Sequence, residues 1–173
     1  MTALLRRPRL SAPARPDISC TYQWEPFDRL LPELRPLLRL AADEMDDFKD
    51  RLPLDPDWGR YLGLFRSGIV QVWTARAASG VLVGFAILFV LPNLHYRTVH
   101  CARTDLFWLS PAWRSGWIGV KLFATLIREL RERDVKVFEA SIKMHWQHAR
   151  MSRLFARLGF KPSETVQAIW LGD

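Results

Sequence analysis

The sequence predicts an α/β fold: a mixed, twisted, mostly antiparallel sheet of about six to seven strands flanked by helices. Three observations lead there. Strand-length apolar runs recur along the chain, several of them alternating with period two. Other stretches carry apolar residues at helical spacing. The two kinds follow one another as β, helices, ββ, β, α, β, α, β, with neighbouring strands at the front and a crossover helix in the middle.

The elements follow in order. "ISCTYQWEP" (18–26) is a first strand. "FDRLLPELRPLLRLAADEMDDFKDRL" is helical, with Leu30, Leu34, Leu37, Leu38 and Ala41 on one face. Pro32 and Pro36 are expected to kink or segment it, since neither has an amide to donate. "DPDWGRYLGLFRSG" is a short helix, with Asp55 as its cap, Pro56 in its first turn and Gly68 beyond its end. A hairpin joins "IVQVWTARA" to "VLVGFAILFVL" through "ASG", and "VHCARTDLFWLSP" is the next strand. A long helix runs to about Arg133 with Gly119, Leu122, Phe123, Leu126, Ile127 and Leu130 on one face. "VKVFEASI" is a strand, "HWQHARMSRLFARLGF" a helix and "ETVQAIWL" a closing strand.

The 173 residues suit one domain over 18–173, preceded by a flexible basic arm over 1–17 that holds no acid before Asp17. No apolar run is long enough to span a membrane, and a cytoplasmic protein is expected. Cys20 and Cys101 are far apart in sequence and are expected to be reduced thiols. The formal net charge is +7, carried mostly by Arg, which offers a planar fork to phosphate or carboxylate. An anionic partner is therefore expected: a nucleotide cofactor, nucleic acid or an acidic protein surface.

"SPAWRSGWIG" (110–119) interrupts this rhythm, placing two glycines and an arginine at the mouth of the long helix. A strand that ends in a loop whose amides point into a helix start makes an anion cradle. Glycine lets backbone approach a phosphate, and Arg114 can add a charged donor. A tight turn without a ligand fits the same residues.

This loop and the element order resemble the GNAT family of acetyl-CoA-dependent N-acetyltransferases, from about Ile18 to the end. "MSRLFARLGF" is similar to the family's last helix, with Phe155, Gly159 and Phe160 in the places of its usual aromatic and Gly-Phe close. "NLHY…ARTDLFWLSPAWRSG" further resembles a branch found in phage and prophage genes. The resemblance implies an acyl-CoA site in a V-shaped gap beside Phe107, Trp108 and Leu109, with Arg114, Ser115, Gly116, Trp117, Ile118 and Gly119 at the pyrophosphate. It puts His148 where an Asn commonly contacts the cofactor, Trp117 where a glycine is usual, and Phe155 where a Tyr often protonates the leaving thiolate. It implies direct transfer to an unidentified amine, by a monomer or homodimer and with no metal. A scaffold that binds protein or nucleic acid through an Arg-rich surface is the alternative.

Acetyl transfer needs a neutral amine and a proton acceptor. Asp105, mid-strand among apolar neighbours, is the first candidate base, because desolvation raises a carboxyl pKa there; a salt bridge to Arg103 is the competing role. Glu139 and His100 are further candidates, and His95 and Tyr96 could line an acceptor pocket. His145 and His148 lie three apart on a helix, but no Cys or well-spaced acid completes a metal site. Trp146, Arg150, Arg153 and Arg157 share one side of the last helix, a stripe for phosphates, for nucleic acid, or simply for solvent.

Overall fold

The computed structural model describes residues 19–114 and 116–172; the expected arm over 1–17 and loop residue Ser115 lie outside the described residues. Helix α1 (Phe27–Met45) buries Phe27, Leu30, Leu34, Leu38, Ala41 and Met45, the i, i+3/i+4 stripe of the sequence. Pro32 and Pro36 do not segment it. Both lie on its exposed face, where the carbonyls they leave without an amide partner can meet water. Helix α2 (Trp58–Arg66) starts two residues later than expected: Asp57, not Asp55, is its cap, accepting the Arg60 amide at 2.9 Å.

Strands β1 (Cys20–Trp24), β2 (Val70–Ala77), β3 (Leu82–Pro92), β4 (His100–Leu109) and β5 (Val135–Glu139) lie side by side in that order. The β1–β2, β2–β3 and β3–β4 pairs are antiparallel, and β4–β5 is parallel. Helix α3 (Ile118–Glu132) makes the parallel crossover, and α4 (His148–Arg157) follows β5. The β2–β3 hairpin turns where Gly80 takes φ +84°, a conformation that glycine adopts without strain.

The described residues hold five strands, one fewer than the lower expectation. The segment read as a closing strand, residues 164–171, is irregular. Its anchors lie off the sheet edge: Glu164 accepts Arg103 at 2.8 Å, and the Trp170 ring sits 5.9 Å from Phe48. An alternating pattern becomes a strand only where an edge pairs with it, and here side-chain contacts hold the segment elsewhere.

Each face of the sheet has its own core. Helices α1 and α2 pack on Val72, Phe85, Ile87 and Trp108, while α3 and α4 pack on Trp73, Ala86, Leu88 and Ala102. Trp146 touches both clusters and so reaches across the sheet margin. That position matters for the site.

Candidate active site

β4 pairs with β5 only from His100 to Arg103, yet β4 continues to Leu109. After Glu139 the chain turns away, and the Ser141 amide donates to Thr104 Oγ1 at 2.9 Å. On the other edge Ile87 faces Leu106 and Leu88 faces Thr104, so Asp105 is the extra residue of a β-bulge. The bulge lets adjacent residues serve one side: Leu106 packs with the α1–α2 core and Asp105 meets Tyr61 of α2. Among the described residues, β4 beyond Arg103 has no strand partner on its β5 edge. That stretch of the β4 edge is left open, at the place expected for the V-shaped gap.

A cleft of about 230 Å³ lies at this opening. Phe107, Leu109, Gly116 and Gly119 form one wall, and Trp146, Gln147, Arg150, Arg153 and Arg157 the other. Gly116 adopts φ +83°, which favours glycine. Gly119 matters for space: a Cβ there would lie 3.0 Å from Leu154 Cδ1 and 3.4 Å from both Leu109 Cδ1 and Phe107 Cζ. Neither N-cap residue, Trp117 before α3 nor Gln147 before α4, makes a side-chain cap bond, so among the described residues these positive helix ends are not capped that way. Gln147, the residue before α4, has φ +43°, an uncommon conformation for a side chain of its size.

Arg114 lines the cleft with its guanidinium already paired. Its Nη1 and Nη2 each bond Glu44 of α1 at 2.5 Å, and its Nε donates to the Leu109 carbonyl at 2.8 Å. The guanidinium also lies 5.7 Å from the Trp108 ring centre and 5.4 Å from that of Trp146. Both indoles donate to Glu44 in turn, at 2.8 and 3.0 Å. The Arg114 bonds above all, with the indole N–H groups, hold the Glu44 carboxyl down at about 2. The charged donor expected of Arg114 is engaged with Glu44 and the Leu109 carbonyl. Glu44 is 70 residues upstream and gave no local signal.

The α4 arginines differ. Among the described residues, Arg150 and Arg153 have no acidic partner, and Arg157 lies over the Trp117 ring at 5.4 Å. Trp117 is 60% exposed, its indole turned to Arg157. Arg150 stands in the first turn of α4, against the helix dipole, and Arg153 and Arg157 follow at like-charge spacings. Three local costs of a few tenths of a kcal/mol each are accepted in one place. Such conflicts concentrate at functional sites.

Asp105 is solvent-accessible at the α2 side of the gap, and its Oδ2 accepts the Tyr61 hydroxyl at 3.3 Å. Surrounding protein pushes its carboxyl pKa up, and the Tyr61 bond only partly opposes that. Tyr61 is itself pushed up to about 12, first by burial and then by the Asp105 charge, so it remains a donor. Arg103 is not the partner of Asp105; it bonds Glu164 at 2.8 Å and lies 3.8 Å from Glu139. Beside Tyr61 a second groove of about 330 Å³ is lined by Asp57, Arg60, Leu64 and Phe89.

The remaining sequence candidates fall outside these two spaces. His100 is exposed at the start of β4, five residues from Asp105, roughly 16 Å at strand rise. Glu139 is tied to Arg103. His95 and Tyr96 are exposed in the β3–β4 loop, their amides on Asn93 Oδ1 at 2.9 and 3.2 Å. Trp108 and Phe155 are core rather than cleft: Trp108 packs under α1, and Phe155 meets Phe123 edge-on at 4.9 Å. Ile118 is buried at the start of α3, and His148 is exposed as the first residue of α4. His145 pairs with Asp47 at 2.8 Å. Among the described residues no group of three His, Cys, Asp or Glu side chains could hold a metal ion.

A model of the acetyltransferase (GNAT) family matches residues 31–160. The chain belongs to the GNAT acetyltransferases. Solved structures of similar fold include a ribosomal-protein-alanine N-acetyltransferase from Brucella melitensis biovar Abortus 2308, 20% identical, with TM-score 0.71 over 90% of this chain and 99% of that one. An aminoglycoside acetyltransferase from an uncultured soil metagenomic sample is 15% identical, with TM-score 0.72 over 89% and 99%. A predicted acetyltransferase with acetyl-CoA from Clostridium acetobutylicum is 13% identical, with TM-score 0.62 over 88% and 97%. No curated protein sequence matches the chain. These findings support the GNAT family, whose acyl donor is acetyl-CoA, and not its phage-type branch. Among the described residues of this GNAT chain no helix is long and apolar enough to cross a membrane.

Proposed function

We propose that this GNAT chain moves an acetyl group from acetyl-CoA directly to a small amine while both are bound. One observation carries the reading: the β4 opening has a cleft of unpaired arginines on one side and a carboxylate of raised pKa on the other. Arg150, Arg153 and Arg157, with the amides at the start of α3, would hold the donor's phosphates. The donor's arm would follow the unpaired β4 edge past Phe107 to Leu109, where backbone N–H groups can also meet the developing oxyanion.

At the end of that path the amine lone pair attacks the acetyl carbon. A C–N bond forms, the C–S bond breaks, and its electron pair leaves on sulfur. Asp105 takes the proton from nitrogen, directly or through one water. Its raised pKa makes it a better acceptor than an ordinary aspartate. Phe155 supplies no proton, but a thiol of pKa about 8.5 is a fair leaving group that solvent can protonate. The scaffold alternative required the Arg stripe to face a large partner; its position in a cleft of about 230 Å³ supports a small phosphate-bearing ligand.

A thiol-release assay over an amine panel, beside a melting curve, tests this reading. Asp105→Asn should lower turnover by roughly 10²–10⁴-fold with acetyl-CoA affinity nearly unchanged. Because the carboxyl pKa is raised by folding, its ionised form costs stability at neutral pH, and the cost fades as pH falls. Asp105→Asn should therefore melt at or slightly above the parent. A variant that turns over like the parent removes Asp105 from the chemistry.

A further inference from the structure

The groove on the α2 side has chemistry more specific than a general amine pocket. Leu64 and Phe89 give it an apolar wall, and Tyr61 reaches from it to Asp105. Arg60 is exposed beside Tyr61, and among the described residues no carboxylate lies in ion-pair contact with its guanidinium. Asp57, the other charge in the groove, has one oxygen on the backbone amide of Arg60 as the cap of α2. The groove thus offers a cation without an ion-pair partner among the described residues, an apolar surface, and a tyrosine whose hydroxyl bonds the Asp105 carboxylate. At about 330 Å³ it is at the small end of ligand sites, which run to roughly 1,000 Å³.

We infer that the acceptor is a small amine that also carries a carboxylate on an apolar frame, an amino-acid-like molecule, with Arg60 as its specificity residue. Its nitrogen lies at Asp105, its frame against Leu64 and Phe89, and its carboxylate at the Arg60 guanidinium, whose planar fork suits a carboxylate in a charge-assisted pair. A polycationic sugar would need several acids and no arginine at this wall. A protein N-terminus carries no carboxylate beside its amine. The inference rests on the acetyl-transfer reading for the word acceptor, and on the groove alone for the class of ligand.

The test compares matched pairs that differ only in the carboxylate: leucine with 3-methylbutylamine, phenylalanine with phenethylamine, and 5-aminopentanoate with butylamine. Thiol release gives kcat/KM for each, and calorimetry without donor gives binding. In at least one pair the carboxylate-bearing member should be preferred by about tenfold or more, the effect of one charge-assisted contact. Arg60→Ala should lower kcat/KM for the carboxylate-bearing member by about tenfold more than for the plain amine, while Arg60→Lys restores part of the preference. Equal use of both members in every pair, or an Arg60→Ala loss shared equally by both, overturns the inference and leaves acetyl transfer standing. Arg60-dependent binding of the amino acid with no turnover of any amine does the reverse.

Discussion

Arg114 and Arg150 line one cleft, but their guanidinium groups meet different neighbours. Arg114 has Glu44 in its fork, two indoles within about 6 Å and the Leu109 carbonyl on its third nitrogen. Arg150, with Arg153, has no acid within reach among the described residues and sits where a helix disfavours it. The first arrangement joins α1, β4, the loop before α3 and the loop before α4, so it fixes the shape of the cleft. The second leaves charge available to a ligand. The loop arginine is bonded within the fold, and among the described residues the arginines of the last helix have no acidic partner.

The comparison breaks most visibly at Glu44. Glu44→Ala would leave Arg114 partly buried without its counter-charge and both indole N–H groups without their acceptor. A loss of about 3 kcal/mol is expected, or roughly 6–12 °C in melting temperature. Arg150→Ala should change the stability of the unliganded protein by less than about 0.5 kcal/mol, since it relieves a like-charge contact. Equal stability losses at the two sites would mean that Arg150 is structural after all.

A smaller effect comes from pH. Glu44 titrates near 2 in the folded protein and at 4.5 without its partners. A carboxyl whose pKa falls on folding stabilises fully above its unfolded pKa, and that stability drains as pH drops toward the folded value. The parent should lose melting temperature between about pH 4.5 and 2, and Glu44→Gln should flatten that slope. A slope identical in both proteins would put the acid-sensitive charge elsewhere, with the Glu25–Arg76 pair as the next candidate.

What the sequence made legible follows the range of the interactions. The stripes of α1 and α3 and the β2–β3 hairpin are local patterns, and they fold as read. Asp105 was legible as a mid-strand acid, but the bulge that turns it toward Tyr61 depends on register with β3, which period two does not encode. Glu44 is one of several acids near the end of α1, and its role appears only once β4, Arg114 and Trp146 surround it. Gly119 was read as freedom for a phosphate, and its close approach to Leu154 adds a packing reason that needs α4 in place. The segment 164–171 has a strand's alternation without a strand's partner.

The division of labour between the arginines is tested most directly by calorimetric titration of acetyl-CoA into the parent, Arg150→Ala and Arg150→Ala/Arg153→Ala. Each lost charge-assisted contact should weaken binding by about tenfold or more, cumulatively, with melting of the unliganded proteins unchanged. The salt dependence of binding should shrink in step, because the charges removed are those that meet the phosphates. Acetyl-CoA affinity within about twofold of the parent in the double variant would contradict the account and return the phosphate site to the loop before α3.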